Sequence, residues 1–242
     1  MRHVRFRDPA GSVREGEWND GEVIFAGQSY EVEEVDILPP VEPTKIVCLA
    51  GNYLEHAHGD PPERPSMFLK GPNTLAGHED TITMPADKER IDYEAEVGVV
   101  IGEQCKHVAE EDALDVVAGY TNVNDVSNRD DQNVEQNWIR GKAFDGSAPI
   151  GPVVATPDHV DDPDDPRIRL WQNGEKKQDS AEDQLVHNVS EVIAEVTKLV
   201  TLEEGDVLAM GTSGHPEPMN DGDTIEIKID GVPRLRHYVE KA

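Results

Sequence analysis

The stretch that most constrains the fold is Ile91-Asp92-Tyr93-Glu94-Ala95-Glu96-Val97-Gly98-Val99-Val100-Ile101-Gly102. From Val97 onward it is an apolar, β-branched run closed by glycine, the pattern of a strand covered on both faces. Side chains alternate along a strand, so Asp92, Glu94 and Glu96 point to one side. Carboxylates crowded on one face repel each other, and burying them unpaired is costly. Positive charge must therefore stand against Glu94 and Glu96. A divalent cation taking oxygen ligands meets that need. An exposed strand end in a very acidic protein is the competing reading of the same residues.

The acidity is general. The 242 residues include 50 Asp and Glu against 22 Lys and Arg, a formal net charge of −28. Such a field repels nucleic acid and anionic membrane surfaces, so neither is expected as a partner. The acidic residues are dispersed between apolar segments, and a surface of this kind self-repels unless counter-ions screen it. A halophilic cytoplasm is the expected setting. Cys48 and Cys105 give neither a disulfide framework nor metal-type spacing, and Cys48 sits in an apolar run as a core residue. Neither a signal-type segment nor a membrane-length apolar run is present, so a soluble, cytoplasmic protein is expected.

The length suits one sizeable core with a small appended unit. Residues 1–42 form that unit, with short alternating pieces at 4–7, 13–17, 22–25 and 29–32 and a hairpin signal at Asn19-Asp20-Gly21. A proline-rich linker over 38–43 leads into the main domain, residues 43–242. There the strand 45–50 runs into Gly51-Asn52-Tyr53-Leu54-Glu55-His56-Ala57-His58-Gly59-Asp60, a polar loop on a rigid strand. His56 is a candidate general base, against the plainer reading of a surface histidine. A short helix is expected over 110–117, closed by Gly119. The strand from Tyr120 to Val126 ends in a polar cluster where Asp125 is either a third oxygen ligand or a helix cap. Arg129 in that cluster is suited to hold a carboxylate or phosphate.

Leu185, Val189, Val192, Ile193, Val196, Leu199 and Val200 recur at helical spacing, which predicts one amphipathic helix over 182–200 with Ser180 and Asp183 at its cap. The strand from Gly205 opens into a small-residue loop where the Thr212 hydroxyl and backbone N–H groups could meet an anion. The terminal strand is expected over 224–229. No GxGxxG, P-loop, HExxH or GxSxG pattern occurs, which disfavours nicotinamide enzymes, NTPases, zinc proteases and α/β-hydrolases.

In their order along the chain these motifs resemble the fumarylacetoacetate hydrolase family across residues 43–239. The matching segments are Gly51-Asn52-Tyr53 with His56, Phe68-Leu69-Lys70, Asp92-Tyr93-Glu94-Ala95-Glu96, Asn124-Asp125-Val126 with Arg129 and Gln132, and Lys142-Ala143-Phe144-Asp145. Asn173-Gly174 and Gly205-Asp206 through Gly211-Thr212 complete the series. The resemblance implies an α+β, mostly β fold with a mixed β-roll or barrel core and a few short helices, usually dimeric. It implies Mg²⁺ or Mn²⁺, with Ca²⁺ also possible, held by Glu94, Glu96 and Asp125. The implied substrate is a 2-oxo or 1,3-dioxo acid, its enolate stabilised by Lys142. Arg129 and Gln132 would orient the substrate, Thr212 would bind its carboxylate, and Tyr53 and Lys70 join the substrate-binding set. His56, on a lid loop, would serve proton transfer or water activation.

C–C bond hydrolysis of an acylpyruvate or fumarylacetoacetate-like substrate is the leading expectation. The alternatives are a 2-hydroxyhepta-2,4-diene-1,7-dioate-type isomerase, an oxaloacetate decarboxylase, or a silent metal- or carboxylate-binding protein. Two departures from the family pattern stand out. The glutamate that hydrolytic relatives place three residues after the lid histidine is Gly59 here, leaving Asp60 or Glu55 to pair with His56. The usual Gly-Thr-Pro reads Gly211-Thr212-Ser213.

Overall fold

The structure is a computed structural model that describes residues 1–56, 63–180 and 184–242. Valine-rich runs punctuated by glycine give strands through most of it, and these assemble into two large sheets and a small two-stranded one. The largest has twelve strands among the described residues, ten on one path and two, Asp36–Ile37 and Leu75–Ala76, paired beside it. Its path is Gln28–Glu31, Glu22–Phe25, Val13–Asn19, Arg2–Arg7, Ala148–Ala155, Val117–Asn124, Ala95–Ile101, Val207–Thr212, Ile46–Ala50 and Ser66–Lys70. Neighbours on this path are antiparallel except Val207–Thr212 and Ile46–Ala50, which run parallel. The second sheet orders Glu175–Asp179, Ile168–Gln172, Thr224–Ile229, Leu235–Lys241 and Thr81–Met84, the last pair parallel. The result is the expected α+β, mostly β architecture. No helix among the described residues is long and apolar enough to cross a membrane.

The alternation of Ala95–Ile101 explains why it sits at the centre. Val97, Val99 and Ile101 enter a core shared with Ile168, Leu170 and Ile227 of the second sheet and Val192 and Val196 of a helix. Val100 enters a separate cluster with Ile46, Val123, Ile150 and Val207 on the opposite face. Both faces are therefore covered, as the unbroken apolar run requires. Gly98 interrupts that run because a Cβ there would lie 2.6 Å from the Val123 side chain and 3.0 Å from the Thr121 carbonyl oxygen. The N-terminal meander joins the main sheet where Arg2–Arg7 pairs with Ala148–Ala155. Its hairpin turn is Asp20-Gly21, both at positive φ between the paired Asn19 and Glu22, the two-residue turn that matches strand twist.

Four expectations are corrected. The amphipathic helix spans Val189–Leu199, with Asn188 as its N-cap and Glu191 completing a capping box. Residues 184–186 are instead held beside the 52–54 segment: Leu54 N donates to the Gln184 carbonyl and Val186 N to the Asn52 carbonyl. Tertiary pairing thus outcompetes the helical period before residue 188. Ser180 bonds the Ile168 backbone, not a helix end, and Asp183 lies outside the described residues. The 110–117 element is a 3-10 helix, Glu110–Val116, and Gly119 lies inside the following strand, Val117–Asn124. That strand stops at Asn124, short of the expected end at Val126, because Asp125 leaves it to face the site. The terminal strand is Leu235–Lys241, which closes the second sheet beyond Thr224–Ile229.

On that terminal strand His237 is fully buried, and its Nε2 lies 2.9 Å from Asn124 Nδ2. Asn124 Oδ1 in turn accepts from Glu94 N at 2.8 Å, which orients the head of the carboxylate strand. An amide N–H can only donate, so the ring nitrogen accepts and the imidazole is neutral. Burial pushes its pKa from the ordinary 6.5 down to about 4. Between those values the unfolded chain takes up a proton that the folded chain refuses. This contribution to stability is therefore complete above about pH 6.5 and declines as pH falls towards 4, by at most about 1.4 kcal/mol per pH unit. Urea unfolding at pH 7 and pH 5 should differ more for the wild type than for His237→Gln. Identical pH dependence in the two proteins would contradict a neutral buried imidazole.

Candidate active site

Strand register assembles the site. Ala95 pairs with Asn124 on the neighbouring antiparallel strand, and Asp125 N donates to the Glu94 carbonyl at 2.8 Å. Glu94 and Glu96 at the head of one strand thus meet Asp125 at the end of the other. One carboxylate oxygen from each lies within 4.8 Å of the others, and all three residues are buried. Glu96 is opposite Thr212 on the strand to its other side and accepts from Gly211 N at 2.9 Å.

Cations answer this charge unevenly. Lys142 ends the short helix Ile139–Lys142, which starts from Trp138 in a left-handed conformation (φ 58°), a backbone strain typical of functional sites. Its buried Nζ lies 2.6 Å from Glu94 Oε2, 2.5 Å from Asp125 Oδ2 and 2.6 Å from Ser127 Oγ. Phe68 lies beneath the ammonium, 5.1 Å from ring centroid to nitrogen. Burial opposes the charge on Lys142, but Asp125, Glu94 and Glu96 outweigh it and raise its pKa. Lys70 Nζ stands 2.6 Å from Asp125 Oδ1 as an ion pair. The angle there falls outside hydrogen-bond geometry, so that oxygen accepts no aligned hydrogen bond. Burial pushes the Asp125 carboxyl up, while Lys142 and Lys70 more than reverse it. Among the described residues Glu96 has no cation in contact; burial, then Asp125 and Glu94, drive its pKa well above the carboxylate range.

This donor set fits a metal ion. It offers buried carboxylate oxygens only, one of them without an aligned donor, and carries repulsion that a dication would relieve.

The expected residues divide into two groups. Glu55, Glu94, Glu96, Arg129, Gln132, Lys142 and Thr212 line one cavity of about 480 Å³. Arg129 is fully engaged: Nε with Asp92 at 2.8 Å, Nη1 with Gln132 Oε1 at 2.8 Å and Nη2 with Glu94 Oε1 at 2.5 Å. Thr212 Oγ1 accepts from Gln178 Nε2 at 2.8 Å. Glu55 accepts from Gly214 N across the cavity mouth. Tyr53 and Lys70 are elsewhere. Tyr53 is 1 % exposed in the core, and Lys70 lies behind Asp125 with Nζ 2.5 Å from the Ser147 carbonyl. Neither lines the cavity. His56 closes the 3-10 turn Leu54–His56, but its side chain and the whole of Asp60 lie outside the described residues.

Two neighbours were not singled out from the sequence, and a third, Asp92, has a different part from the one its place on the strand suggests. Gln178 holds Thr212 and also accepts from Ala95 N at 3.1 Å; as a glutamine in a charged strand it gave no signal. Ser127, though seen in a polar cluster, becomes a partner of Lys142 only through folding. Asp92 follows the pleat of Glu94 and Glu96 but holds Arg90 and Arg129 instead of joining the carboxylate trio. The arginine two residues before it was the available sign.

The comparisons with known proteins follow the same outline. The oxaloacetate tautomerase YisK of Bacillus subtilis is 34% identical, the match covering 88% of this chain and 75% of that protein. The crystal structure of 5-carboxymethyl-2-hydroxymuconate delta-isomerase from Mycobacterium smegmatis superposes with a TM-score of 0.91 at 33% identity, covering 100% of this chain and 99% of that one. Maleylpyruvate hydrolase from Sphingobium sp. SYK-6, solved in complex with manganese(II) and pyruvate, gives a TM-score of 0.85 at 29% identity, covering both chains fully. The family model described as the C-terminal domain of fumarylacetoacetate (FAA) hydrolase matches residues 45–240. With the carboxylate trio, its lysine and the two strands that bring the trio together all inside that match, the chain belongs to the fumarylacetoacetate hydrolase family.

Proposed function

We propose that this protein is a divalent-metal enzyme that takes a 2-oxo or 1,3-dioxo acid through its enolate, with residues 43–242 carrying the chemistry. The observation that supports it is the buried trio Glu94, Glu96 and Asp125 with the Lys142 ammonium against two of its members. A dication held by that trio, Mg²⁺ or Mn²⁺ with Ca²⁺ also accommodated, would supply Lewis-acid polarisation that lowers the cost of an enolate. Lys142 stays protonated among the carboxylates and offers a preorganised positive charge to a developing enolate oxygen. Gln132 turns its carbonyl oxygen to Arg129, which leaves its amide N–H groups for the substrate. Thr212 Oγ1 accepts from Gln178, so its own proton can be donated to a carboxylate.

The hydrolytic outcome is cleavage of an acylpyruvate C–C bond, and it requires a base that places water; His56 with Asp60 or Glu55 is the proposed pair. A second outcome, tautomerisation, isomerisation or decarboxylation of the same enolate, needs no placed water. The capture of Glu55 by Gly214 N favours this second outcome, because it engages one of the two acids that the hydrolytic pair would need.

Three measurements test these readings. In Glu96→Gln, Mn²⁺ affinity by titration calorimetry should fall by more than the roughly tenfold to hundredfold typical of outer-shell partners; turnover that survives exhaustive chelation would sink the metal reading. Lys142→Met should lose on the order of 10²–10³ in kcat while still binding Mn²⁺, since it removes a cation that competes for the same oxygens. Assay of one sample against an acylpyruvate, oxaloacetate and a hydroxy-dienedioate separates the outcomes. Dominant acylpyruvate cleavage supports hydrolysis, and dominant proton shuffling supports the second reading.

A further inference from the structure

We propose that the cavity between the N-terminal meander and the turn over 229–234 is a second binding site, separate from the carboxylate trio, that takes a phosphoryl group, either free phosphate or a small phosphate ester.

The cavity has a volume of about 410 Å³. Arg2, Trp18 and the Asp20-Gly21 turn line one side, and Lys228 with residues 231–234 lines the other. Strand pairing builds both walls. The ladder of Arg2–Arg7 with Val13–Asn19 sets His3 opposite Glu17, so Arg2 and Trp18 come side by side at its end. On Thr224–Ile229 the buried side chains are Ile225, Ile227 and Ile229, which leaves Lys228 on the outer face opposite Arg169. The turn beyond that strand is held from within. Buried Asn122 accepts from Ile229 N at 2.7 Å and donates to the Pro233 carbonyl at 2.9 Å, and Val232 N donates to the Ile229 carbonyl at 3.0 Å. None of these bonds involves a ligand, so the wall is set before one arrives.

Charge decides what fits. Arg2 is half-buried and donates through Nε to the Gly231 carbonyl at 3.0 Å, which leaves both Nη groups without a partner among the described residues. Half-buried Lys228 has neither a hydrogen bond nor an acidic partner among the described residues. Arg234, the third cation in the lining, is engaged elsewhere: its guanidinium lies over the Trp171 ring and Nη1 is 3.1 Å from Glu226. The acid in the lining is Asp20, exposed on its turn, and the neighbouring Asp230 is taken by Arg169. Two cations thus stay unpaired at one cavity in a chain where 50 Asp and Glu face 22 Lys and Arg. A phosphoryl dianion matches two positive charges where a carboxylate matches one, and the open Nη pair of Arg2 suits its oxygens. Trp18 adds an apolar wall, and the volume lies in the range of small-molecule sites.

Calorimetric titration of the full chain at fixed ionic strength tests this, with inorganic phosphate, ribose 5-phosphate and acetate as probes. Phosphate or its ester should bind more tightly than acetate. Lys228→Gln should weaken that binding roughly tenfold to hundredfold, the range for a lost charged hydrogen bond. Arg2→Gln should weaken it similarly, and Lys228→Arg should keep most of it. Lys228 makes no contact on which folding depends, so its variants should unfold at the wild-type temperature. Tighter binding of ribose 5-phosphate identifies an ester as the ligand and equal affinity identifies the free oxyanion; both uphold the site. The proposal is overturned if the wild type binds neither phosphate, if Lys228→Gln binds as the wild type does, or if acetate binds as tightly. The keto-acid reading stands or falls separately, since neither Arg2 nor Lys228 lines the cavity at the carboxylate trio.

Discussion

Placing Glu94, Glu96 and Asp125 where water cannot solvate them is the constraint on which the rest of the site depends. An ionised carboxylate in the interior is tolerable only with partners of opposite charge. Lys142 bridges Glu94 and Asp125, Lys70 supports Asp125 from behind, and Arg129 takes the remaining oxygen of Glu94. Glu96 receives a single backbone amide. Among the described residues the cations thus stop one short, and the shortfall lies on Glu96, one of the two members of the trio that line the cavity. Removing Lys142 or Lys70 would leave a buried charge uncompensated, a change that typically costs about 3–5 kcal/mol.

The fold supplies this arrangement through strand register. Side chains two residues apart on Ala95–Ile101 share a face, and the adjacent strand delivers Asp125 beside them at its own end. Asn124 fixes the junction, with one amide atom on Glu94 N and the other on the buried His237 of the second sheet. The outer sheet therefore reaches the site through a neutral histidine. Gln178 acts similarly, joining Ala95 to Thr212 and the 213–216 loop. Uncharged polar neighbours thus orient the backbone that carries the cavity-lining side chains, alongside the cations that pair with them.

Legibility in the sequence followed the range of the interaction. Glu94 and Glu96 stood out because alternation is a local rule and the run after them is unmistakably core. Asp125 was ambiguous between ligand and cap, since the pairing that brings it to Glu94 spans about thirty residues. Asp92 obeyed the same alternation as its neighbours yet serves the arginines, because pleat direction says which side a group faces and not what waits there. Lys70 was grouped with substrate contacts on resemblance, whereas its ammonium is turned to the far side of Asp125. The periodicity from Leu185 was real but did not decide the start of the helix. Contacts of 184–186 with the 52–54 segment hold that stretch extended, and Asn188 with Glu191 sets the boundary.

From its own residues the chain fixed the strand-rich class, the two-sided burial of the central strand, its two-residue turns and the crowding of acids that demands a cation. These depend on propensity, period and charge within a few neighbouring positions. Only the tertiary structure decided which cations meet which carboxylates, and that Glu96 is the one of the three without a cation among the described residues. Those outcomes turn on distances of a few ångströms between segments far apart in the chain, and electrostatic energy in a dry interior changes steeply over such distances.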